Sequence, residues 1–95
     1  MYAVIARWVA RVGEEADVER VLKTMAPLSR EEPGCREFTV LRSTDEPRTY
    51  LLYEIYDGEA SFLAHRETDH FKKHVLGDGV PRLEARTFAH YEIVA

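Results

Sequence analysis

The chain has 95 residues, a length that fits one domain, and its 45% hydrophobic and 32% charged residues are the mix of a globular protein rather than a disordered one. A formal net charge of −4 and a pI of about 5.5 speak against nucleic acid and anionic membranes as partners, since both are bound chiefly through Lys and Arg. The single cysteine, Cys35, excludes an internal disulfide and fits a reducing compartment.

The first segment, YAVIARWVAR at 2–11, is rich in Val, Ile, Tyr and Trp and predicts a strand. No basic region precedes it and Arg interrupts it, so neither a signal peptide nor a membrane span is expected, and a cytoplasmic protein is. VGEE then turns the chain and supplies the acids of a helix start. Over 15–29, Val18, Val21, Leu22, Met25 and Leu28 recur every three or four residues, one apolar stripe of an amphipathic helix. REEPG at 30–34 ends it. Residues 35–43 alternate Phe38 and Val40 with Thr39 and Leu41, a second strand, and TDEP at 44–47 is a turn. RTYLLYEIY at 48–56 is apolar on both parities, so this third strand is expected to be buried on both faces. Asp57 is the expected N-cap of a second helical region reaching about residue 76. GDGVP at 77–81 reads as a loop and 82–94 as a long final strand.

The order β-α-β-β-α-β predicts an α+β, ferredoxin-like antiparallel sheet with both helices on one face, in a single domain over 1–95. Strands one, three and four are apolar on both parities: Val4 and Trp8 oppose Ile5 and Val9, and Phe88 opposes Tyr91 and Ile93. Helices can cover only one of those faces. A second copy, sheet against sheet, is the simplest cover for the other, so a homodimer is expected.

Glu54 sits among Tyr50, Leu52 and Tyr56 on its own face of the strand, so it is expected to be buried. A buried carboxylate is hydrogen-bonded, paired, or protonated with a raised pKa. It reads either as a pocket base or as half of a structural ion pair. His65, His70 and His74 crowd the second helical region. His70 and His74 share a helix face, but HFKKH lacks the Glu of the zinc-protease pattern and supplies no third ligand, so no metal site is read from it. His74 fits a solvated face. His65 lies on the sheet-facing side with Phe62 and reads as a proton shuttle or a satisfied core histidine. Trp8, Tyr53, Tyr56, Phe62 and Phe71 are aromatic candidates for a substrate pocket, or simply core. No Walker A sequence, dinucleotide fingerprint or nucleophile elbow occurs, so no nucleotide or flavin cofactor is expected.

EEPGCREFTVLRS followed by YLLYEIYDGEASFLAHRETDHFKK resembles the antibiotic biosynthesis monooxygenase family. Glu32, Pro33 and Gly34 match its Glu-x-Gly turn, and Glu54 and Tyr56 match its strand end, with Tyr56 where Trp is usual. His65 and the pair His70–Phe71 complete the likeness. The resemblance implies a dimeric α+β barrel and cofactor-independent oxygenation of a small quinol or phenol by dioxygen. It implies catalytic roles for Glu54, His65 and His70. Haem-degrading relatives have an Asn, a Trp and a ligating His where this chain has Ala6, His65 and Val75, so haem is not implied. Relatives that move protons on small phosphorylated signals, and dimers that only bind a ligand, are the alternatives.

Overall fold

Alternation within the strand segments sets the architecture. In the computed structural model, which describes residues 1–95, β1 (Tyr2–Ala10), β2 (Cys35–Arg42), β3 (Thr49–Tyr56) and β4 (Leu83–Glu92) form one antiparallel sheet ordered β2-β3-β1-β4. Helix α1 (Glu15–Arg30) joins β1 to β2, and α2 (Glu59–Arg66) follows β3. Both helices lie on one face, so the chain adopts the ferredoxin-like fold expected from its element order. No helix is long and apolar enough to cross a membrane.

Register decides which side chains meet the helices. Val4 and Phe38 flank Glu54 from either side, Ala6 and Val40 flank Leu52, and Trp8 and Arg42 flank Tyr50. Even-numbered residues of β1, β3 and β4 therefore share the helix-covered face. On α1, Val18, Val21, Leu22 and Met25 are buried against it. The stripe then continues through Ala26 and Ser29 rather than Leu28, which is only half-buried. With Trp8, Tyr50, Leu52, Phe71 and Val75 these residues make the main core. Each large side chain fully withdrawn from water contributes about 1.5–3 kcal/mol before entropy is counted.

Two details depart from the sequence reading, and both shape the site. Asp57 is not an N-cap: Gly58 holds that position, while Asp57 pairs with Arg36 and its N–H donates to Gly34 O at 2.9 Å. Gly34 is required here because a Cβ would collide with Ser61 Oγ, so only glycine lets the turn after α1 dock on α2. The second helical region is also not continuous. Thr68 Oγ1 donates to His65 O at 2.8 Å and accepts from Phe71 N–H at 3.2 Å, closing α2 and capping the next helical segment. Residues Phe71–Gly79 form that segment, which is π-helical, and Val80–Arg82 add a single 3-10 turn, where the sequence suggested a loop. Gly79 lets the segment pass close to the Trp8 ring, 3.0 Å from where its Cβ would be.

The opposite sheet face carries no helix. Leu41, Tyr53 and Tyr91 are exposed there at 48%, 36% and 56%, and Ile5 is half-buried.

Candidate active site

A cavity of about 210 Å³ lies between the sheet and the helical side. Trp8, Phe62 and Phe71 line it, together with Glu54 and His65. Tyr53 and Tyr56, expected to hold a substrate ring, do not. Tyr53 has the opposite parity to Glu54 and lies on the helix-free face, and Tyr56 is fully buried behind Glu54. Tyr56 acts on the site indirectly: its hydroxyl donates to Glu54 Oε1 at 2.5 Å.

Glu54 is 5% exposed, placed by β3 with its parity mates in the core. Burial pushes its carboxyl above the usual range, and the Glu32 charge adds to this. The Tyr56 hydrogen bond, His65 and Arg86 pull the other way without cancelling it. Tyr56 is itself pushed upward by burial and then by the Glu54 charge, so it remains a phenol and a donor.

His65, 3% exposed, extends from α2 into the same space. Its Nδ1 is 2.9 Å from Glu32 Oε2 and 3.0 Å from Oε1. Glu32 also lies 2.6 Å from His70 Nε2. Burial alone would raise the Glu32 carboxyl, but the hydrogen bonds from His65 and His70 outweigh it and hold the group below the usual carboxylate range. An ionised Glu32 can only accept, so the hydrogen-bond pattern assigns the His65 proton to Nδ1. The other nitrogen, Nε2, is then the ring's lone pair, and it lies 3.9 Å from Glu54 Oε1, beyond hydrogen-bond reach. Phe71 packs edge-on to the ring with centroids 5.1 Å apart, and Phe38 and Tyr56 lie at 5.8 and 5.6 Å. A carboxylate fixing one imidazole nitrogen while the other faces a reaction space is an arrangement for general-base work.

The break at Thr68 brings His65 and His70 onto one carboxylate, although a continuous helix would turn them apart. His70 braces Glu32 and does not line the cavity. Ligand atoms of Glu32, His65 and His70 lie within 4.8 Å of one another, so these three residues are the set that could take a metal. In the arrangement seen, both rings are hydrogen-bonded to the carboxylate instead. His74 and His70, the pair suggested by spacing, are not part of one cluster. Cys35 is half-buried nearby, its thiol pushed up to about 11 by burial and then by the Glu32 and Glu54 charges, so it is not a thiolate nucleophile.

Sequence reasoning gave Glu32 only a turn role. The residue is 33 positions from His65, and no local pattern reports that contact. Thr68-Asp69 carried a readable signal, since Thr followed by an acid is a helix-start pattern. Arg86 and Phe88 also line the cavity, and their parity, opposite to that of Tyr91, was the available clue.

A ferredoxin-like antiparallel sheet with a carboxylate–imidazole pair buried on its helix-covered face makes this a small α+β protein with a buried candidate site. The antibiotic biosynthesis monooxygenase family matches residues 1–75, and this chain belongs to that family. Solved structures agree in fold. A Mycobacterium tuberculosis protein is 24% identical with a TM-score of 0.90, covering 99% of this chain and 95% of its own. A Nitrosomonas europaea protein, named as a candidate antibiotic biosynthesis monooxygenase, is 25% identical with a TM-score of 0.89 over 100% of both chains. A similarly named Deinococcus radiodurans protein is 18% identical with a TM-score of 0.90, covering 100% of this chain and 94% of its own. Among curated proteins, none matches the chain significantly.

Proposed function

We propose that this chain is a cofactor-independent monooxygenase acting on a small quinol or phenolic aromatic. The observation that carries the reading is the Glu32–His65 pair, with Nδ1 held at 2.9 Å and Nε2 left free toward a largely apolar cavity. Family membership supports the reaction class. His65 Nε2 takes a phenolic proton, and ionised Glu32 offsets the charge that forms on the ring. The phenolate passes an electron to dioxygen, the resulting radicals join in a carbon–oxygen bond, and water leaves. For a quinol the balance is quinol plus dioxygen to hydroxyquinone plus water, with the substrate supplying all the electrons. Glu54, held toward its neutral form, donates a hydrogen bond to a second substrate oxygen. Trp8, Phe62 and Phe71 exclude water from the reactive pair.

The same domain, residues 1–95, is proposed to work in the cytoplasm as a homodimer. Exposed Leu41, Tyr53 and Tyr91 on the helix-free face support the second copy. Sedimentation at micromolar concentration is expected to give twice the 11.0 kDa chain mass.

The test is dioxygen uptake by metal-stripped protein on a panel of quinols and phenols. Uptake above the spontaneous rate, lost in His65→Ala protein that still folds, supports the proposal. A His65–Glu54 separation of 3.9 Å also suits proton transfer between neighbouring carbons. Absence of uptake, with proton exchange on a phosphorylated sugar, would favour that isomerase reading; silence in both assays would leave a binding protein.

A further inference from the structure

We propose that Arg66 and Arg86 form an anion-binding rim on the cavity, so that the substrate is a one-ring phenol or quinol bearing a carboxylate or similar acidic group. The aromatic half of this statement rests on the function proposed above; the anionic half rests on the rim alone. Both arginines line the cavity and both are exposed, which places them where it opens to solvent. The other arginines all have a polar partner, most of them a carboxylate: Arg82 meets Glu14, Asp17 and Asp78, Arg42 meets Glu19, and Arg36 meets Asp57, while Arg11 and Arg30 donate to the backbone carbonyls of Pro81 and Phe38. Arg66 and Arg86 have neither an ion pair nor a hydrogen bond.

Instead each guanidinium rests on an aromatic ring. Arg66 lies over Phe62 at 5.8 Å and Arg86 over Phe88 at 5.5 Å. Such contacts hold the planar group in place while leaving its N–H donors unused. The two cations also repel each other: burial, and then the Arg66 charge, depress the Arg86 pKa, and the Glu54 charge inside the cavity pulls the other way without cancelling them. A chain of net charge −4 that keeps two unpaired like charges together at one opening has a site for an anion there. The other charges on the lining do not fill it. Lys72 and Glu67 pair with each other at 3.3 Å, and Glu54 lies inside, held toward its neutral form and bonded by Tyr56.

Volume limits the rest of the molecule. A cavity of about 210 Å³ falls below the roughly 300 Å³ where drug-sized pockets begin. It exceeds the roughly 150 Å³ known to take benzene. One substituted ring fits, and the acidic group projects to the rim while a phenolic oxygen meets His65.

Calorimetric titration under anaerobic conditions with para-hydroxybenzoate and its neutral isostere para-hydroxybenzamide tests this, since, without dioxygen, binding is read apart from turnover. Wild-type protein is expected to bind the benzoate at least about tenfold more tightly than the amide, the usual scale of a charge-assisted contact. The preference should shrink as salt rises. Arg66→Gln and Arg86→Gln should each reduce it, and the double variant should abolish it. Equal affinities, a preference that survives in the double variant, or binding of neither compound would overturn the proposal. A benzoate preference without dioxygen uptake on any phenol would leave the rim standing and remove the oxygenase reading; uptake on neutral quinols alone would do the reverse.

Discussion

Two halves of the space between sheet and helices are built to different rules. One half, around Val18, Val21, Ala26 and Tyr50, is packed with apolar side chains that bury one another. The other, over Val4, Tyr56 and Phe62, admits Glu54, His65 and Glu32 into surroundings nearly as dry. Buried polar groups are costly unless bonded, and a hydrocarbon core would serve folding as well or better. Their partners are therefore the informative part. Tyr56 is bonded to Glu54, Glu32 to both histidines, and Thr68 to the carbonyl of His65. The polar half is a supported constellation aimed at a cavity, and the apolar half is the scaffold that keeps it still.

The widest separation between the halves should appear in His65→Ala. Loss of a general base typically costs about 10²–10⁴-fold in rate, or about 3–5 kcal/mol in the barrier. Dioxygen-uptake kinetics should show it in protein whose circular dichroism is unchanged. Val21→Ala should do the opposite. Val21 is fully buried in the scaffold and does not line the cavity. Its truncation should cost about 1.5–3 kcal/mol in urea unfolding and leave kcat nearly unchanged.

Gly34→Ala crosses the boundary between the halves. Its new methyl would strike Ser61, so stability should fall by roughly 1–3 kcal/mol. Activity should fall with it, because the same turn carries Glu32. Adding Ser61→Gly should recover much of both, a coupling readable in a double-mutant cycle.

The smallest effects sharpen the polar half from within, through the opposite displacement of its two carboxyls. Glu54 is raised, so the folded state holds its proton longer than the unfolded state. Its effect on stability is a loss as pH rises through the ordinary carboxylate range to the folded pKa, and Glu54→Gln should gain on wild type over that interval. Glu32 is lowered, so its contribution is present above the ordinary range and disappears as pH falls through the folded pKa. Glu32→Gln should therefore cost more at neutral pH than in acid. Chemical denaturation across pH checks both slopes.

Much of this was legible in the sequence. Strand parity indicated the sheet and the burial of Glu54, and the helical period indicated the α1 stripe as far as Met25. The same parity placed Tyr53 opposite Glu54, so its exclusion from the cavity could have been read from residues 53 and 54 alone. Glu32 could not be placed that way, because it meets His65 only once the turn at Gly34 docks on α2. His70 reaches the same carboxylate through the break at Thr68, and the π-helical segment beyond owes its course to Gly79 packed against a distant Trp8. Period-based reading sees one element at a time, and these contacts join elements.

Isotopically labelled dioxygen tests the central claim most directly. Metal-stripped protein, a quinol or phenol that supports uptake, and labelled gas would be followed by mass spectrometry of the product. The account predicts one labelled oxygen atom in each product molecule and the other in water, with formation depending on His65. An unlabelled product, or labelled product formed equally fast by His65→Ala protein, would contradict it.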